Sequence, residues 1–181
     1  MPVDADAVFA AEWTRAADGV FERIAARVVI VDGDRRVLLM RASGGEGHGD
    51  GEATFWFTVG GGLADGEDER AGAVREAHEE TGVALDPDGL IGPIARRIPT
   101  FTFLGRTCRQ DERLYLAHVP AGTPVSTGGW TDVETAVMET LTWWPLDELR
   151  QTDATIYPPD LGDRVAALVD HGWDGTTPMC E

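Results

Sequence analysis

Glu76, Glu79 and Glu80 stand at i, i+3 and i+4 in the chain. On a helix, side chains at those spacings are neighbours, with Cβ atoms roughly 5–6 Å apart. Three carboxylates so placed repel one another. At an effective dielectric near 20, each pair at about 5 Å costs on the order of 3 kcal/mol. Solvent screening lowers that figure at an exposed site. Arg75, four residues before Glu79, offsets one charge but not all. Two readings follow: a solvated acidic helix face, or a site for a hard divalent cation. Clustered oxygen ligands suit magnesium, which keeps several waters and binds substrate phosphates. The helix alone leaves both open.

The flanking residues add a pattern. Gly61 is followed after five residues by Glu67, and after seven more by Arg75-Glu76; Glu79-Glu80 and Gly82-Val83 complete the run. This spacing resembles the Nudix box, G-x5-E-x7-R-E-U-x-E-E-x-G-U, with U a bulky aliphatic residue. It departs at Ala77, where the family has Leu, Ile or Val, and Val59 stands where Pro commonly precedes the glycines. The resemblance extends over roughly residues 24–170, including the strand pair before the box and Trp143-Trp144-Pro145-Leu146-Asp147-Glu148-Leu149.

The resemblance implies a Nudix-type α/β/α sandwich, with a mixed β-sheet and the box as loop–helix–loop. It implies hydrolysis of a diphosphate bond in a nucleoside diphosphate linked to another moiety, by water attack on phosphorus. Carried over by position, Glu76 and Glu80 are metal ligands, and Glu79 shares that role or acts as base. The Gly61 carbonyl is a further ligand. Arg75 holds the glutamates through charge-assisted hydrogen bonds, with Glu67 a structural partner of that network. The cofactor is Mg2+, with Mn2+ a second option; bound divalent ions would neutralise phosphate oxygens and lower the pKa of a bound water.

The box does not settle the base, since some family members draw it from the loop before the last strand. That loop offers Asp132, Glu134 and Glu139, of which Glu139, close to the Leu141 strand, leads. Glu112, beside the strand Arg113–Val119, is a second candidate. For substrate binding, strand alternation puts either Trp56 or Phe57 toward the site. Trp130, in a Gly-rich loop, is a candidate stacking residue. Pro99 lies sixteen residues past Val83, an offset that resembles ADP-ribose hydrolases of the family. This favours ADP-ribose or a nucleotide sugar, with nucleoside triphosphates next. His48, His78, His118 and His171 form no ligand spacing such as H-E-x-x-H.

These residues need elements to hold them. Val28–Val31 and Val37–Met40 flank Asp32-Gly33-Asp34, a strand–turn–strand signal. The stretch 43–54, rich in Gly and acids, reads as a surface loop, not a phosphate loop: it joins no strand to a helix and has no lysine. Phe55–Val59 is an aromatic strand running into Gly60-Gly61-Gly62. Asp68 to Glu80 has the composition of a helix, with Ala71, Val74 and Ala77 or His78 inward and Thr81-Gly82 as its end. Further strands are expected at Ile94–Phe103, Arg113–Val119 and Leu141–Trp144, a short helix at Pro145–Leu149, and an amphipathic helix at Asp160–His171. Residues 1–22 form a mobile arm or short docking helix, 23–172 the catalytic domain, and 173–181 a tail.

Composition limits the alternatives. The chain has 181 residues and a net charge of −17. That field repels nucleic acid and anionic membranes and demands cations for a phosphorylated substrate. All 15 basic residues are arginines, so lysine chemistry is excluded. Cys108 and Cys180 read as reduced thiols, and the acidic N-terminus does not resemble a signal peptide, so a cytoplasmic protein is expected. Dimers are common in the family, so a homodimer is an open expectation. The main alternative is a non-catalytic nucleotide-sensing module, against which the intact carboxylates speak. An isomerase of isopentenyl diphosphate calls for a cysteine context that GRTCRQ around Cys108 does not resemble.

Overall fold

A computed structural model describes residues 4–43 and 54–181. The Gly-rich stretch, apart from its two end residues, and His48 lie outside the described residues.

The centre of the fold is strand β2, Phe21–Asp32. On one side it runs parallel to β7, Arg106–Val119, in register from Phe21↔Cys108 to Asp32↔Val119. On the other side it divides its partners. Ala25–Val28 pairs antiparallel with the glycine end of β4, Thr54–Gly62, and Ile30–Val31 pairs with β3, Arg36–Ser43. β3 continues on to β4 and to β8, Met138–Pro145. The sheet order is β5-β7-β2-β3-β4-β9, with β5 at Ile91–Arg97 and β9 at Ile156–Tyr157. β1, Thr14–Arg15, and β6, Thr100–Phe103, add to β2 and β7. This is a mixed sheet, as expected. The single strand expected over 94–103 is instead two, β5 and β6, broken at Ile98-Pro99, where proline has no N–H for the ladder.

Alternation along β2 builds two cores. Val29 and Val31 face a cluster with Leu114, Leu116, Leu161 and Val165, which seats helices α4, Leu146–Leu149, and α5, Leu161–His171. Ala26, Val28 and Ile30 face the other side, with Leu38, Met40, Val59, Ala73 and Ala77 under helix α2, Glu69–Thr81. The result is the expected α/β/α arrangement. The strand–turn–strand signal holds too: the buried Asp32 carboxylate accepts the N–H groups of Asp34 and Arg36 and pairs with the Arg36 guanidinium at 2.6 Å.

Before β2, helix α1, Ala5–Glu12, is capped by Asp4. Phe9 and Trp13 are buried against Phe21, Phe101 and Phe103. At the other end, Arg96 exchanges backbone hydrogen bonds with Pro178 and Cys180, so the last residues lie along β5. Short helix α3, Asp132–Val137, opens with a capping box of Thr131 and Glu134.

Candidate active site

Helix α2 carries the glutamates, and its local signals account for it. The Asp68 carboxylate accepts from the N–H groups of Arg70 and Ala71 at the N-terminus. Gly82, at φ 72°, closes the other end, with its N–H on the His78 carbonyl. The inward face is the expected one at Val74 and Ala77 but not at Ala71. Ala71 and His78 are exposed, while Gly72, Ala73, Ala77, Glu80 and Thr81 are buried. The helix is turned so that Glu80 enters the protein, and Gly72 permits a close approach: a β-carbon there would lie 2.2 Å from Leu63.

That rotation brings Glu80 and Glu76 to the glycine end of β4. The Glu80 carboxylate, 2% exposed, accepts the Gly60 N–H at 2.6 Å. A β-carbon on Gly61 would stand 2.5 Å from Glu76 Oε2, so the side-chain-free backbone there lies directly against that carboxylate. Burial pushes the Glu80 carboxyl well up, and repulsion from Glu76 adds to it, against the Gly60 hydrogen bond. Burial also raises Glu76, while Arg75 pulls it down. Among the described residues no cation forms an ion pair with Glu80.

Arg75 serves the rest of the cluster. Its Nε and Nη2 donate to the two Glu67 oxygens at 2.8 and 2.9 Å. Nη1 donates to Glu76 at 2.7 Å and Glu79 at 2.9 Å, and Nη2 also reaches the Gly62 carbonyl at 3.2 Å. These hydrogen bonds hold Glu67 down at about 2. Glu79 stays exposed, its side chain at 51%.

The outlying candidates separate. Glu112 is 2% exposed and lies deep in a polar cluster, accepting from Arg27 Nε at 2.8 Å and from Gln110 Nε2 at 2.9 Å. Arg27 in turn donates to the Thr58 and Gly60 carbonyls, both at 2.9 Å. Glu139 lies within β8, paired with Arg41 at 3.0 Å. Of the loop carboxylates, it is Glu134 whose charge reaches Glu80. Trp130 does not stand free: its indole N–H donates to the Glu80 carbonyl at 2.8 Å, and a β-carbon on neighbouring Gly129 would lie 2.2 Å from the Glu79 carbonyl. The loop is thus seated on the end of α2. Trp56 packs edge-on to Trp144, 5.1 Å between ring centres, against the α5 core, whereas Phe57 packs against the α2 core. Pro99 accepts the Gln110 N–H at 3.1 Å at the break between β5 and β6. Arg23, Arg27 and Gln110 were missed by motif reading, because they meet the site only through sheet pairing.

The donor set fits a magnesium ion. No three His, Cys, Asp or Glu side chains form a closed cage among the described residues. Magnesium needs none, since it takes one or two carboxylates and keeps waters. Glu76 and Glu80, side by side with incomplete neutralisation over a bare glycine backbone, offer that.

The NUDIX domain model matches residues 21–162, well over half of the chain. The chain belongs to the Nudix family. It is a hydrolase acting on diphosphate bonds. Among solved structures, a MutT NUDIX hydrolase from Burkholderia pseudomallei shares 22% identity, with 78% of this chain and 95% of that one covered and a TM-score of 0.51. A MutT protein from Methanosarcina mazei Go1 shares 15% identity over 82% of this chain and 94% of that one, also at 0.51. At these identities the likeness establishes the Nudix fold.

Proposed function

We propose that this Nudix protein hydrolyses a nucleoside diphosphate linked to another moiety, in a reaction that requires magnesium. ADP-ribose or a nucleotide sugar is the favoured class, and nucleoside triphosphates come next. The observation that carries this reading is the buried Glu80 beside Glu76 at Gly60–Gly61, with no ion pair to Glu80 among the described residues. When bound, magnesium would neutralise phosphate oxygens and acidify the attacking water.

The protein's own residues have separate tasks. Glu76, Glu80 and the Gly61 carbonyl hold the ion. Glu79, exposed and tethered by Arg75, is free to reach the ion or to accept a proton. Arg75 and Glu67 lock the geometry and do not touch substrate. Glu139, paired with Arg41, and Glu134, which accepts the Thr131 N–H, are the two candidates for the loop base. Phe57 replaces Trp56 as the strand aromatic on the α2 side.

Product release from a panel with and without magnesium tests this. The panel holds ADP-ribose, other nucleotide sugars, dinucleoside polyphosphates and nucleoside triphosphates. Magnesium-dependent cleavage of one class is expected. A folded, metal-binding protein that turns over none of them would favour a nucleotide sensor.

A further inference from the structure

The family match begins at residue 21, and the segment before it holds Arg23, which lies against Gly62. Arg23, at the start of β2, lies across the end of β4: a β-carbon on Gly62 would stand 3.0 Å from both its Cδ and Nη1. The guanidinium is held on three sides. Nη1 donates to Glu12 at 2.7 Å, Nε donates to Gln110 at 2.5 Å, and the plane sits 4.2 Å from the centre of the Trp13 ring. Glu12 and Trp13 come from the N-terminal segment, which is anchored by Phe9 and Trp13 in the aromatic cluster.

Two chains of contact lead from Arg23 to the carboxylates. Through Gly62 it meets Arg75, whose Nη2 donates to the Gly62 carbonyl and whose Nη1 holds Glu76 and Glu79. Through Gln110 it meets Glu112 and Arg27, whose Nη1 donates to the Gly60 carbonyl, while Gly60 N–H holds Glu80. Both end on the Gly60–Gly62 backbone. The β2 ladder pairs Gly60–Gly62 with Ala25–Arg27; with no side chains of their own to pack, these glycines take a further lateral contact from Arg23 at Gly62.

We propose that the N-terminal segment is a working part of the metal site, with Glu12 and Trp13 holding Arg23 across Gly62 so that the Gly60–Gly62 backbone is set against Glu76 and Glu80. Arg23 is a positioning residue. This rests on the magnesium reading above. Groups that orient metal ligands from behind typically change affinity by about 10–100-fold when removed.

The test is Mn2+ titration of the metal-free, full-length protein, read by water-proton relaxation, with kcat and KM measured alongside. Arg23→Gln is expected to weaken Mn2+ binding roughly 10-fold or more. Arg23→Lys recovers part of the loss, since it keeps the charge but not the fork. Glu12→Gln, at an exposed partner that does not threaten folding, weakens binding a few-fold. Val165→Ala, which loosens the α5 core alone, lowers the melting temperature and leaves Mn2+ affinity unchanged.

Unchanged Mn2+ affinity in folded Arg23→Gln and Glu12→Gln would overturn the proposal, and the stack would then only tether the segment. Weaker substrate binding at normal Mn2+ affinity would also overturn it, in favour of direct phosphate contact. Should Arg23→Gln fail to fold, Glu12→Gln and Arg23→Lys decide alone. Failure of the metal reading itself looks different: the wild type then binds no Mn2+, or Glu80→Gln binds it as well as the wild type.

Discussion

Glu80 shows how far a single residue can be set at odds with its surroundings. Its carboxyl titrates above its ordinary value in the folded protein because burial and Glu76 both oppose its charge. A group raised in this way contributes stability below its unfolded pKa, near 4.3, and loses it as pH rises through the folded value. Metal-free Glu80→Gln is therefore expected to melt above the wild type at pH 7, with the gap closing toward about pH 4. The same substitution is expected to lower turnover by roughly 100-fold or more. Thermal melts in EDTA and steady-state rates check the two halves. Glu67 has the opposite sign. Arg75 holds it at about 2, so its contribution is present above its ordinary 4.5 and is lost as pH falls toward 2. Glu67→Gln should then lose less stability than the wild type between pH 5 and 3 in urea melts. Glu134→Gln keeps the capping box, since Gln serves at that position. A fall in kcat of at least about 10-fold there, with Glu139→Gln near normal, would fit Glu134 as base; the reverse order would assign that role to Glu139.

At the scale of elements, helix α2 is where pattern and packing meet. Its ends were legible from Asp68, Thr81 and Gly82 because caps are local chemistry. Its inward face was legible only in part, because apolar spacing pointed to Ala71, Val74 and Ala77 or His78, while the sheet took Ala77 with Gly72, Ala73, Glu80 and Thr81. The departure from the box at Ala77 belongs here. Ala77 is fully buried in the core with Val28, Ile30 and Leu38. Restoring the family's bulk with Ala77→Leu is expected to overpack that contact and cost about 1–3 kcal/mol in denaturant melts. Phe57 and Trp56 make a similar point. Alternation says that they face opposite ways, but only the partner strands say which face is which.

For the whole molecule, two cores of buried apolar side chains pack the sheet on both faces. Chelation should therefore abolish turnover while the far-UV circular dichroism and the cooperative melt persist. A net charge of −17 sets up a field that would repel the proposed phosphorylated substrate, and the proposed ion would offset it. Family, layered architecture and the glutamate cluster could be read from sequence alone, because box spacing, capping and periodicity are written in consecutive residues. What only the tertiary structure decided is the company those glutamates keep. Arg23 and Arg27 of β2 meet Gly62 and Gly60, and Glu12, Trp13 and Gln110, from other parts of the chain, hold Arg23 there. Strand register and helix rotation, set by burial over the whole sheet, place them there, and no local spacing encodes either.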